Sequence, residues 1–108
     1  MTNADKLATL KIMLNIEDTS LDEKLNAYLG MSEKEIIEWY YTNTGTPEEA
    51  TMPTKYDVTQ IYAVVTAITI EGAEGEEVHH ENGIIRHFAY DTMVKYIRSH
   101  VYPLAGVY

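Results

Sequence analysis

Thr66 to Phe88 reads TAITIEGAEGEEVHHENGIIRHF, and the fold turns on how this stretch is parsed. An apolar run ends at Gly72. A small acidic linker follows, Ala73-Glu74-Gly75-Glu76-Glu77, and then two short segments flank Asn82-Gly83. Asn-Gly between such segments signals a two-residue turn, because both turn positions need positive φ. The stretch therefore predicts a long element ending in glycine and a β-hairpin, about Val78 to Phe88, projecting from its end. No residue in it is arranged for bond chemistry, so the hairpin reads as a contact surface.

The elements around it follow from periodicity. A first helix is expected over about Asp5 to Leu14, with Leu7, Leu10, Ile12, Met13 and Leu14 as its apolar stripe and Asn15 and Asp18 at its end. Ser20-Leu21-Asp22-Glu23 has the form of a capping box and starts a second helix running to about Thr42. Its apolar face is Leu21, Leu25, Tyr28, Leu29, Ile36 and Tyr40, with Gly30 as an interior weak point. Residues 43–54 form a loop. Lys55 to Glu71 is apolar on nearly every side, including Val65, and reads as a central buried element. Its β-branched run from Val64 to Ile70 also suits a strand, but its length favours a helix. Asp91 caps a short fourth helix from Thr92 to about His100, and Pro103 prevents its continuation. The fold class is mostly α: a small helical bundle of three main helices plus a short C-terminal helix, with a projecting β-hairpin. One domain spans 1–108.

Composition narrows the function. Seventeen acidic and eight basic residues give a net charge of −9. That opposes tight binding to a phosphate backbone, which needs clustered Lys and Arg, and opposes docking on anionic lipid. An acidic surface past which DNA slides is consistent with it. There is no cysteine, which removes disulfides and thiolate metal sites and fits a reducing compartment. The N-terminal stretch lacks the apolar core of a secretory signal, and no run is long enough to span a bilayer.

Three constellations invite sharper readings and fall to plainer ones. His79, His80, Glu81 and His87 are metal-ligand types, but neighbouring strand residues point to opposite faces, so neither a metal nor another cofactor is expected. Glu33, Glu35, Glu38, Glu48 and Glu49 lack a nucleophile–base spacing and read as solvated charge, so no catalytic residue and no enzyme activity are assigned. Trp39-Tyr40-Tyr41 points in three directions on a helix, which divides the trio between core and contact roles.

The element order resembles the head–tail connector, or head-completion, proteins of long-tailed phages. Three stretches carry the resemblance: Leu10 to Ile16 followed by Asp18-Thr19-Ser20-Leu21-Asp22; Glu71-Gly72-Ala73-Glu74-Gly75 leading to His80-Glu81-Asn82-Gly83-Ile84; and Ile97 to Val107, with Tyr102-Pro103 and Gly106-Val107. The linker departs from the family's usual serine and arginine, with Glu76-Glu77-Val78-His79-His80 in their place. The resemblance implies a structural virion protein that joins the capsid portal to the tail as a ring subunit and extends the DNA channel. Implied partners are further copies of itself, the portal, a tail or stopper protein, and passing double-stranded DNA without tight binding. The implied location is the capsid–tail junction, after assembly in the bacterial host cytoplasm, with no membrane role. Expected contact residues are Val78, His79, His80, Asn82, Gly83, Ile84, Arg86 and Phe88 on the hairpin, and Tyr102, Val107 and Tyr108 on the tail. Nine tyrosines and one tryptophan suit such contacts. The alternative is an acidic winged-helix-like protein–protein adaptor, since three helices and a hairpin is also that fold's order. A DNA-reading version lacks the basic footprint it would need.

Overall fold

The computed structural model describes the backbone of residues 1–74 and 82–105, and the side chains of these residues except 72–74 and 82–86. Helices α1 (Asn3–Met13), α2 (Asp22–Tyr40), α3 (Asp57–Glu74) and α4 (Asn82–His100) follow one another, with a 3-10 turn at Thr54–Tyr56 leading into α3.

The hairpin expectation is overturned. No strand occurs among the described residues, and Asn82 to Phe88 lies in the first half of α4. Residues 75–81, which hold Val78, His79 and His80, lie outside the described residues. The expected cap of a short fourth helix, Asp91, sits inside α4, where His87 Nε2 approaches its carboxylate at 3.4 Å. The physical reason is burial. Ala89, Met93, Ile97 and Val101 recur every four residues and are all buried, so α4 forms one continuous apolar stripe. An isolated two-stranded hairpin is marginal in water, whereas a long helix laid on α3 buries a whole face. The α3–α4 pairing is the most extensive in the molecule. With no strand among the described residues, the winged-helix alternative has no wing there.

The bundle expectation stands, with sharper boundaries. α1 begins earlier than expected, at a capping box that the periodicity did not expose. Thr2 Oγ1 accepts from the Asp5 amide at 3.1 Å, and the Asp5 carboxylate accepts from the Thr2 amide at 3.2 Å. It ends in a Schellman arrangement: the Ile16 amide donates to the Lys11 carbonyl at 2.8 Å and the Asn15 amide to that of Ile12 at 3.2 Å. Asn15 takes φ 59°, the left-handed conformation that asparagine tolerates. Of the expected apolar stripe, Leu10 is fully buried, but Ile12 is 80% and Met13 40% exposed. Lys6 is buried in their stead, facing Asp57.

The box expected at Ser20 does not form. Its amide and hydroxyl both donate to Asp18 Oδ1, at 3.1 and 2.7 Å, which ties Ser20 into a local turn ahead of the helix. α2 instead starts after Leu21 without a side-chain cap. Its core face is Leu25, Tyr28, Leu29 and Ile36, as the spacing indicated, while Tyr40 is half-buried.

α3 is a helix, which resolves the strand ambiguity. Ile61, Ala63, Val64, Ala67 and Ile68 are buried, and Val65, expected in the core, is half-buried at its edge. Length and the close fit of Ala63 and Ala67 outweigh the β-branched composition.

Two glycines yield a stability test. Gly30 lies inside α2, and a Cβ added there meets nothing within 4 Å. Gly30→Ala therefore stabilises the fold by about 0.5–1 kcal/mol, read as a higher denaturant midpoint at unchanged slope. Gly45 has φ +85° and closes α2 through its amide to the Tyr41 carbonyl at 2.9 Å. Gly45→Ala costs about 1–2 kcal/mol by the same measurement.

Candidate interaction surface

Five aromatic side chains gather at the C-terminal end of α2. Trp39, Tyr40 and Tyr41 stand there, the turn containing Tyr56 returns to it, and the segment after α4 is laid across it. Tyr40 and Tyr56 meet edge to face at 5.9 Å between ring centroids, and Tyr40 and Tyr41 at 5.0 Å. The Trp39-Tyr40-Tyr41 trio divides as helical geometry requires, with Trp39 and Tyr40 against the core and Tyr41 at the rim.

Residues 101–104 have no secondary structure of their own, so their backbone groups need partners from elsewhere. The Trp39 indole donates to the Val101 carbonyl at 3.0 Å. The Tyr56 hydroxyl accepts from the Tyr102 amide at 3.1 Å and donates to the Tyr102 carbonyl at 3.4 Å. The Leu104 amide donates to the Tyr40 carbonyl at 2.9 Å, and the Asn43 side-chain amide to the Leu104 carbonyl at 3.1 Å. A single phenol thus holds both backbone groups of Tyr102, while the Tyr102 ring itself is 77% exposed. The ring is a large aromatic group on a fixed backbone, a cheap arrangement for making a contact because little ordering remains. Tyr56→Phe leaves the Tyr102 amide without its acceptor and costs about 1–2 kcal/mol. Hydrogen exchange reads the same change locally: the Tyr102 and Leu104 amides lose protection, while those of α3 keep theirs.

Two cations rest on aromatic faces at this end. Lys55 Nζ lies 5.6 Å from the Tyr40 centroid and 5.3 Å from that of Tyr56, and the Arg98 guanidinium lies 5.2 Å from the Trp39 ring. Both residues are exposed. Arg98 and His100 also close the last turn of α4, where the helix dipole favours positive charge. Beside Arg98 is a cleft of about 230 Å³ lined by Glu35, Glu38, Trp39, Thr42 and Arg98. Next to it the Tyr90 hydroxyl donates to Glu35. That bond, with burial and nearby carboxylates, pushes the Tyr90 hydroxyl up to about 12.

Nothing in this arrangement supplies a nucleophile with its base. Among the described residues no group of three His, Asp or Glu side chains converges to hold a metal ion. No helix is long and apolar enough to cross a membrane, among the described residues. Of the residues singled out in the sequence, Tyr102 lies in this surface. Phe88, 61% exposed, lies on α4 beyond it, and Asn82, Gly83, Ile84 and Arg86 lie in the first turns of α4. Val78, His79, His80, Val107 and Tyr108 fall outside the described residues. Sequence reasoning missed Lys55, Tyr56 and Arg98. The signal was available only as spacing, with Trp39-Tyr40 closing one helix, Lys55-Tyr56 opening the next and Arg98 closing the last.

An acidic helical bundle that holds exposed aromatic groups on a fixed backbone is suited to making contacts. Comparison with known families makes the assignment specific: the model of the Phage gp6-like head-tail connector protein family matches residues 4–100, and the chain belongs to that family. No curated protein and no solved structure matches it. The chain is accordingly a structural component of a phage virion at the head–tail junction, in contact with other head and tail proteins.

Proposed function

We propose that this chain is the repeating subunit of a ring seated on the capsid portal, that the ring extends the DNA channel, and that its far side receives a tail or stopper protein. The family membership over residues 4–100 carries this reading. Three features of the chain support it. A net charge of −9 lets double-stranded DNA slide through a lumen without being held by its phosphates. Phe88 and Tyr102, both singled out in the sequence as contact residues, expose most of their large apolar side chains. Aromatic groups of this kind are enriched in the cores of protein interfaces. The first turns of α4, Asn82 to Arg86, stand as a contact segment in helical form and no longer as a hairpin. Assembly takes place in the bacterial cytoplasm, where portal and tail are built.

Gold-labelled antibody against the chain, applied to intact particles and to tail-less heads, tests the placement. The reading predicts label at the neck of both. Label at the tail tip, or along the capsid shell, would contradict it.

A further inference from the structure

α3 packs against all three other helices and still leaves one side open. That side carries Val58, 57% exposed, Tyr62, 47% exposed, the half-buried Val65 and Thr66, and the exposed Thr69. No Asp, Glu, Lys, Arg or His falls between Val58 and Ile70. The two acids that bracket the run are buried and paired, Asp57 with Lys6 at 3.4 Å, and Glu71 with the Tyr28 hydroxyl at 2.6 Å and Lys24 at 3.0 Å. A helix face open to water ordinarily carries charge. The other helices follow that rule, with Asp5 exposed on α1, Glu23, Lys34 and Glu38 on α2, and Asp91 and Lys95 on α4. The open side of α3 has instead the composition of an interface core, aromatic and apolar with charge depleted. Its Thr66 hydroxyl is already satisfied, donating to the Tyr62 carbonyl at 2.9 Å.

A second uncharged face, of opposite relief, lies on the outside of α1. Ala4, Ala8 and Ile12 recur every four residues and are exposed, Ile12 by 80%. The charges beside them are engaged within the chain, Asp5 in the cap with Thr2 and Lys11 with Asp22 at 2.9 Å. Two alanines let a neighbouring helix come close, and the larger Val58 and Tyr62 fill the space they leave. At 1.5 Å per residue, Val58 to Thr69 spans about 16 Å and Ala4 to Ile12 about 12 Å, so the faces are similar in length. Both are exposed, so neither covers the other within one molecule. Two copies, each of net charge −9, repel where their charged surfaces meet, and these faces are where they meet without that cost. A contact between unlike faces is heterologous, the type that propagates into rings when its rotation closes.

Resting on the ring reading above, we propose that the open side of α3 in one copy packs along the outer side of α1 in the next, with Val58 and Tyr62 seated on Ala4 and Ala8. The contact is apolar, and the charges of both copies stay at its margin in water.

Molar mass by light scattering over a concentration series, alone and with purified portal, tests this. In the ring reading the unaltered chain forms a species much heavier than one subunit. Tyr62→Lys raises the concentration needed for assembly on the order of tenfold or more, because it places an unpaired charge in an apolar contact. Ala8→Glu does the same alone, and the two combined in one chain restore assembly by pairing across the contact. Raising the salt concentration strengthens assembly of the unaltered chain, because it screens the repulsion between acidic copies. Both altered positions are exposed, and circular dichroism confirms that each variant is folded. If Tyr62→Lys unfolds, Tyr62→Ser replaces it and must weaken assembly in the same direction. A Tyr62→Lys chain that assembles like the unaltered one, a combined variant that stays dissociated, or an assembly that salt weakens overturns the α3–α1 contact and leaves the ring intact. An unaltered chain that is monomeric throughout, alone and with portal, overturns the ring itself and the contact with it.

Discussion

Val64→Asp unfolds the domain. Val64 is fully buried in the middle of α3, the helix that packs against all three others. No cation reaches it, so the new carboxylate is either an unpaired buried charge or a proton taken up at a cost. Either course costs several kcal/mol, against a total stability of about 5–15 kcal/mol for a domain of this kind. Far-ultraviolet circular dichroism reads the result as a lost cooperative transition at room temperature. Val65→Asp provides the contrast. Val65 lies half-buried at the edge of the core, so its carboxylate reaches water and the variant stays folded with a lower Tm. A Val64→Asp chain with unchanged Tm would place the wrong face of α3 in the core.

Asp57→Leu has the second-largest expected effect, through the partner it leaves behind. Lys6 Nζ lies 3.4 Å from Asp57 Oδ1 with only 6% of its side chain exposed, and the Met1 ammonium lies 3.0 Å from Oδ2. Removing the carboxylate strands the buried Lys6, at a cost of about 3–5 kcal/mol. Lys6→Met with Asp57→Leu removes both charges and recovers most of the loss, because a buried pair is often replaceable by apolar groups of similar volume. The same site gives an acid dependence. Burial raises the Asp57 carboxyl, but the hydrogen bond from the Met1 ammonium and the charge of Lys6 outweigh it and hold the group below its ordinary 3.8. The unfolded chain therefore takes up this proton more readily than the folded one. Asp57's contribution is complete above the unfolded value and is lost as pH falls through the lower folded value. Denaturant titrations at a series of acidic pH values measure it, and the Lys6→Met, Asp57→Leu chain shows a shallower fall.

Much of the bundle was legible from apolar spacing, since Leu25, Leu29 and Ile36 on α2 and the dense run on α3 could only be core. The chief error came from weighing a two-residue signal above a longer one. Asn82-Gly83 satisfies the chemistry of a tight turn, but Ala89, Met93, Ile97 and Val101 repeat every four residues for three turns. The long-range burial against α3 decided between them. The Ser20 box failed for a related reason: a cap motif specifies which bond is available, and the local turn at Asp18 holds Ser20 outside the helix. Buried Lys6 was invisible because its partner Asp57 is 51 positions away. The aromatic end of α2 was half legible. The richness in tyrosine and the candidacy of Tyr102 came from composition and the tail. That Tyr56 would hold both backbone groups of Tyr102, and that Lys55 and Arg98 would rest on rings, depends on four separate segments meeting at one end.

The central claim is that this connector subunit closes into a ring. Light scattering on a sizing column, over a concentration series and with purified portal added, measures it most directly. The account predicts one discrete species at an integral multiple of the subunit mass, formed from monomer as concentration rises or on the portal at once. A monomer under every condition, or a dimer that grows no further, would contradict it.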